Sequence, residues 1–241
     1  MTIKPVRLLP VVLILLYLAA SPLCQGAYAV SGYTKASGYQ YVQLGSYPQT
    51  AQGERKPILW RVLDVTDDYL YLFSEYVLFN HRVHEDYREY ETIRDAFHLT
   101  ELFGILNGVF LKDAFTDAEA ELLFEDAALG KVFLVTSADL RNKDYGFTTN
   151  KARQGFGTEY AIKNGLFKYR NTAEARGSSP YWTRTPSGTL KSGVNCTKAA
   201  GNIGYIRCVV MNEGIRPAVR LLRSTILYGG GTVTDPYYLG R

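Results

Sequence analysis

Residues 181–222 constrain the fold of this chain more than any other stretch. They read YWTRTPSGTLKSGVNCTKAAGNIGYIRCVVMNEGIRPAVRLL. Three short β-rich runs lie here, at residues 181–185, 206–211 and 218–222. Gly, Ser, Asn and Pro punctuate them, as a turn-rich antiparallel sheet requires. Pro217 restricts the residue before it, so Arg216 is expected in an extended backbone. This stretch reads as the central sheet and terminal strand of a compact module.

The rest of the chain supplies partners for that sheet. Residues 39–44 read as a first strand, and LGSYPQT then turns through Gly45 and Pro48. The β-rich runs 58–65 and 69–74 flank Thr66-Asp67-Asp68 and predict a hairpin. Leu99, Leu102, Phe103, Leu106 and Phe110 recur at helical spacing. Thr116 and Glu119 form a capping-box pattern, with Gly130 ending the helix behind it. KVFLVTS, residues 131–137, reads as a buried strand. Residues 141–157 form a long irregular loop, a kind that is often functional. Thr158 caps a short helix that Gly165 follows. Strands, then helices, then strands predict an α+β fold rather than a wound parallel sheet, with the first and last strands side by side.

The N-terminus predicts export. Lys4 and Arg7 precede an apolar run from Leu8 to Ala20, and Ala27-Tyr28-Ala29 is an A-x-A site. That is the pattern of a secretory signal peptide over residues 1–29, and the run is too short for an ordinary membrane span. An uncleaved anchor, or a lipid on Cys24, is the rival reading. Cleavage leaves 212 of the 241 residues, beginning at Val30. The division expected is a leader at 30–38, a single domain at 39–224 and a flexible tail at 225–241. Of the 27 basic residues, Lys4 and Arg7 leave with the signal, so 25 face 23 acidic ones. That balance lacks the concentrated basic field of a nucleic-acid binder. The location expected is periplasm, cell surface or medium, with no stable membrane span after cleavage.

Cys196 and Cys208 remain as an even pair in an exported chain. They are expected to form a disulfide, the rival being a thiol pair for metal or redox chemistry. No cofactor and no metal are called for. His81 and His84, three residues apart, would share a helix face and could hold a metal, but no third ligand is spaced for it. Asn142 and Asp144 offer oxygen donors for calcium, against the alternative of a solvated turn. No G-x-S-x-G is present, and no catalytic residue is assigned. Trp60, Arg184, Arg216 and Pro217 are given structural roles, the arginines because one guanidinium can tie several carbonyls. Tyr145, Phe147, Tyr160, Tyr169 and Tyr181, in or near the long loop, are the candidate ligand platform.

LGSYPQ, PILWRVLD, LNGVFLKDAFTDAE, KVFLVTS, GTEYA, YWTRTP and GIRPAVRL occur in that order across most of the chain after residue 43. In these phrases the chain resembles a bacterial exported domain family of unknown function. It departs from that pattern at YETIRDAFHLTELFG, where a Trp- and Ser-containing stretch is expected. The resemblance implies a C-type lectin-like fold, shared with formylglycine-generating enzymes: mainly antiparallel sheet, two main helices and long irregular loops. The calcium-site phrases of C-type lectins and the cysteine pattern of those enzymes are missing. Fold alone does not assign activity. The function expected is a non-catalytic exported binding domain for a glycan, envelope polymer or protein. The alternatives are an envelope hydrolase using His81 or His84 as base, and a structural envelope component.

Overall fold

A computed structural model describes residues 30–240, so the segment expected as a signal peptide, residues 1–29, lies outside the described residues. The chain is α+β, with mostly antiparallel sheets. Its strands are β1 Tyr41–Pro48, β2 Arg55–Val65, β3 Tyr69–Ser74, β4 Phe79–Asn80, β5 Val132–Phe133, β6 Gly155–Phe156 and β7 Ser178–Ser179. They continue as β8 Tyr181–Pro186, β9 Gly193–Thr197, β10 Ile203–Arg207, β11 Gly214–Ile215, β12 Ala218–Leu222, β13 Leu227–Tyr228 and β14 Tyr238–Leu239. One sheet runs β1-β2-β3-β12-β5 and is antiparallel throughout. A second runs β10-β9-β8-β11-β4, with only β11 and β8 parallel.

Among the described residues, two helices reach seven residues or more. One is Tyr87–Ile93, capped by the Asp86 carboxylate. The other is a continuous run over 101–114, with a π-helical middle at Ile105–Phe110. Leu102, Leu106, Phe110 and Ala114 recur every four residues on its buried side. The wider π turn keeps that spacing on one face, where a continuous α-helix would drift. Leu99, expected on this face, lies on a preceding 3-10 turn and is exposed. The capping box of Thr116 and Glu119 is formed, as is the Thr158 cap. One buried cluster joins both sheets and the long helix; it includes Trp60, Phe73, Leu106, Phe133, Trp182 and Val219.

Two of the chain's crossings between the sheets lie side by side. The chain leaves β3 for β4 after Ser74, and leaves β11 for β12 through Arg216-Pro217. The two crossings are bonded to each other, because the Ser74 amide donates to the Pro217 carbonyl at 2.9 Å. β12 lies beside β3 and β5, so the first and last strands of the expected domain are not neighbours. Residues 225–240 neighbour β1 instead. The Tyr41 amide donates to the Gly231 carbonyl, and Tyr41 and Gln43 exchange bonds with Tyr237. The segment expected as a flexible tail is therefore paired with an edge strand, which is one way that edges are protected.

The expected disulfide is absent, and Cys196 and Cys208 are both free and buried. Register explains why. Cys196 faces Gly204 across the β9–β10 ladder, four residues before Cys208, whose amide bonds to the Ser192 carbonyl. Four residues of antiparallel strand span about 14 Å. A bridge tolerates Cα atoms no more than about 7 Å apart. Burial instead pushes both thiols up to about 11, which leaves them protonated and inert at neutral pH.

Candidate functional site

The site begins with an irregularity in β8. Trp182 faces Cys196, but Pro186 faces Val194, so β8 spends two extra residues against β9. The surplus bulges out at Thr183-Arg184-Thr185. Side chains replace the lost ladder bonds. Thr183 Oγ1 donates to the Asn195 carbonyl at 2.8 Å, and Thr185 Oγ1 accepts from the Ser137 amide at 2.9 Å. The Arg184 amide turns away from β9 and donates to the Val135 carbonyl at 3.0 Å. This is why the expected strand over 131–137 shortens to β5: its second half serves the bulge. Bulges of this kind re-aim a side chain.

Here the side chain re-aimed is Arg184. Its Cζ lies 5.8 Å from the centre of the Phe133 ring. Its Nε is sealed from solvent with no hydrogen-bond partner, and none of its guanidinium donors is committed among the described residues. A cleft of about 360 Å³ opens beside it, lined also by Arg94, Asp95, Phe97, His98 and Thr136. Arg94 fixes one wall, donating to the Lys191 carbonyl at 2.7 Å and to the Ser187 carbonyl. Asp95 and His98 are exposed on the wall. The Thr136 hydroxyl is committed, accepting from the Asp139 amide at 2.9 Å. Other surface depressions are larger, including one of about 650 Å³ beside β1 and Tyr238. The cleft at Arg184 differs in holding a guanidinium with no hydrogen-bond partner among the described residues, beside a second cation and an apolar side.

The wall made by residues 94–98 belongs to YETIRDAFHLTELFG, a stretch in which no motif marks these residues. Sequence reading therefore passed over Arg94 and Asp95. It placed Arg184 as a clamp, whereas in this cleft the guanidinium bonded to two carbonyls is Arg94.

The other candidate residues are scattered. Tyr181 and Phe147 are buried; the Tyr181 hydroxyl donates to the Arg153 carbonyl at 2.7 Å, and Phe147 meets Phe73 edge-on. Tyr145 is half-buried and its hydroxyl donates to Asp64 at 3.2 Å. Tyr160 packs edge-on to Tyr47, and Tyr169 lies beside Phe167. These five rings form no common platform. Trp60 is buried, stacks on Phe115 and donates to the Leu44 carbonyl at 2.9 Å. Arg216 is fully buried; its Nε donates to the Ser74 carbonyl at 2.7 Å and its Nη1 to the Gln154 carbonyl at 3.4 Å.

His81 and His84 do not converge on one point. His81 Nδ1 meets the Arg82 carbonyl at 2.8 Å, and its Nε2 is 3.7 Å from Glu101. His84 Nδ1 accepts from the Glu101 amide at 3.1 Å, so the imidazole caps the start of the long helix. That nitrogen is spent on the fold and is not free to ligate or to act as base. Asn142 Oδ1 accepts from the Asp144 amide at 2.9 Å, closing a local turn. Among the described residues, no group of three or more His, Cys, Asp or Glu could hold a metal, and no helix is long and apolar enough to cross a membrane. No protein-family model, curated protein or solved structure matches the chain.

Proposed function

We propose that this protein is an exported binding domain of C-type lectin-like architecture that seats a glycan, envelope polymer or protein in the cleft beside Arg184. The observation that carries the reading is the bulge in β8. Its backbone and side-chain bonds hold Thr183, Arg184 and Thr185 in place, while the Arg184 guanidinium is left uncommitted. A rigid support presenting unpaired donors to an open cleft is suited to binding, because little is lost in ordering the site. The hydroxyls of Thr136 and Thr185 accept from backbone amides, which favours a positioning role for them. The antiparallel sheets with long irregular segments fit the lectin-like reading, as do the phrases shared with the exported bacterial family.

The test is titration of the purified protein with soluble envelope fragments and polysaccharides. Saturable binding should be lost in Arg184→Gln with the unfolding midpoint preserved. Turnover of a bound polymer, abolished by one polar substitution, would make the protein an enzyme and end this reading.

A further inference from the structure

We propose that the group bound at Arg184 is the carboxylate of an acidic saccharide. This rests on the binding-domain reading and narrows its ligand. A guanidinium offers a planar fork of donors that matches a carboxylate two-on-two. Arg184 has that fork free, with Nε sealed from water and unpaired, beside an open cleft. Arg184 lines that cleft and its Nη groups have no protein hydrogen-bond partner among the described residues, so a ligand carboxylate can take them without displacing a protein bond. Arg94 adds a second cation on the wall, part of whose donor set is free beyond its two carbonyl bonds.

The remaining lining selects among oxyanions. Asp95 is an exposed carboxylate in the same cleft. It opposes a phosphate, which carries more negative charge, more strongly than it opposes a single carboxylate. Asp95 also accepts hydrogen bonds, which a polyhydroxylated ligand supplies. Phe97, Leu129 and Pro186 give the cleft an apolar side for the C–H face of a sugar ring. One ligand class meets all three demands: a pyranose bearing a carboxylate and free hydroxyls.

The experiment compares four probes by calorimetry on the purified protein: a galacturonate trisaccharide, the neutral galactose trisaccharide, a glutamate tripeptide and inorganic phosphate. The galacturonate oligomer should bind best, and added salt should weaken it. Arg184→Lys should weaken it about tenfold and Arg184→Gln about a hundredfold, because the fork and then the charge are lost. Asp95→Asn should tighten it about threefold by removing a like charge. A folding defect cannot produce that gain. Equal binding of the acidic and neutral trisaccharides would overturn the carboxylate assignment and leave the binding-domain reading standing. Preference for the tripeptide or for phosphate would overturn the saccharide assignment. If none of the four binds, and the envelope fragments also fail, both readings fall together.

Discussion

Arg216 carries a cation into the interior with no carboxylate bonded to it. Its Cζ stands 4.1 Å from the centre of the Phe73 ring and 5.3 Å from that of Tyr181. Burial, reinforced by Arg61, moves its pKa down. Two carbonyls and two ring faces offset that cost, and the Ser74 carbonyl lies on the other sheet crossing. One guanidinium therefore ties the β3-to-β4 crossing to the β11-to-β12 crossing. Arg216→Ala should destabilise the fold by about 3 kcal/mol. Arg216→Lys should restore only part of that, since an ammonium cannot reach two carbonyls in one plane. Denaturant unfolding decides it: two variants with the wild-type midpoint would remove the clamp. Glu213 gives a second test. It is buried with Oε2 unpartnered, Lys198 Nζ is 3.9 Å away, and burial pushes its carboxyl up to about 7 from 4.5. Between those values the folded chain holds a proton that the unfolded chain has released. The contribution of Glu213 to stability is thus greatest below about pH 4.5, falls as pH rises to about 7, and is flat beyond, a loss of about 3 kcal/mol. Cys196, the titrating neighbour that raises no charge in this window, ionises only near 11. Glu213→Gln should flatten the slope and be more stable than wild type at about pH 8. A wild-type midpoint that does not move across this range would count against it.

At the scale of the element, the long helix and the short strand β5 depend on one side chain. Asn107, in the π segment, accepts at Oδ1 from the Lys131 and Val132 amides at 2.9 and 3.0 Å. It donates from Nδ2 to the Val132 carbonyl at 2.9 Å. It thereby replaces the strand that would otherwise pair with β5, an edge of its sheet. Gly130 must lack a side chain for this, since a Cβ there would fall 2.3 Å from Asn107 Oδ1. Asn107→Leu leaves two amides and a carbonyl unpaired and should cost about 3 kcal/mol. Asn107→Asp keeps the acceptor and should cost less; equal losses in the two unfolding curves would rule out the strand-mimic role. The sequence showed the helix through its apolar recurrence but not the π turn, because a four-residue spacing fits either helix. The β2–β3 hairpin and β12 were legible for a related reason, each being a β-rich run beside a turn residue or proline. β9 was not, since GVNCT has no alternation. β10 lies at 203–207 rather than 206–211 because the turn that closes at Gly201, with φ +86°, sets its register.

At the scale of the molecule, what could not be read was which distant segments meet. The cleft draws on residues 94–98, 128–129 and 184–186, and no spacing along the chain relates them. The pairing of the C-terminal segment with β1 is of the same kind, since Gly229-Gly230-Gly231 and Asp235-Pro236 carry the composition of a loose tail. Their conformations serve a tight path instead. Gly229 and Gly231 have φ of +108° and +72°, and a Cβ on Gly231 would strike the Tyr237 ring. Leu227 and Tyr237 are buried, and β13 pairs with β14. Burying two large side chains contributes about 3 kcal/mol or more, and three backbone bonds to Tyr41 and Gln43 add to it. Without this segment β1 would expose an unpaired edge, which invites association between molecules. A chain ending at Leu222 should therefore unfold at lower denaturant and sediment with larger species at high concentration. Tyr237→Ala should reproduce the loss of stability in part, because the strand pairing outlasts the missing ring. Limited proteolysis supplies the independent measurement. The intact chain should resist cleavage between residues 226 and 240 as long as its sheets do, whereas rapid trimming there, with no change in midpoint, would show that the segment adds nothing to the fold.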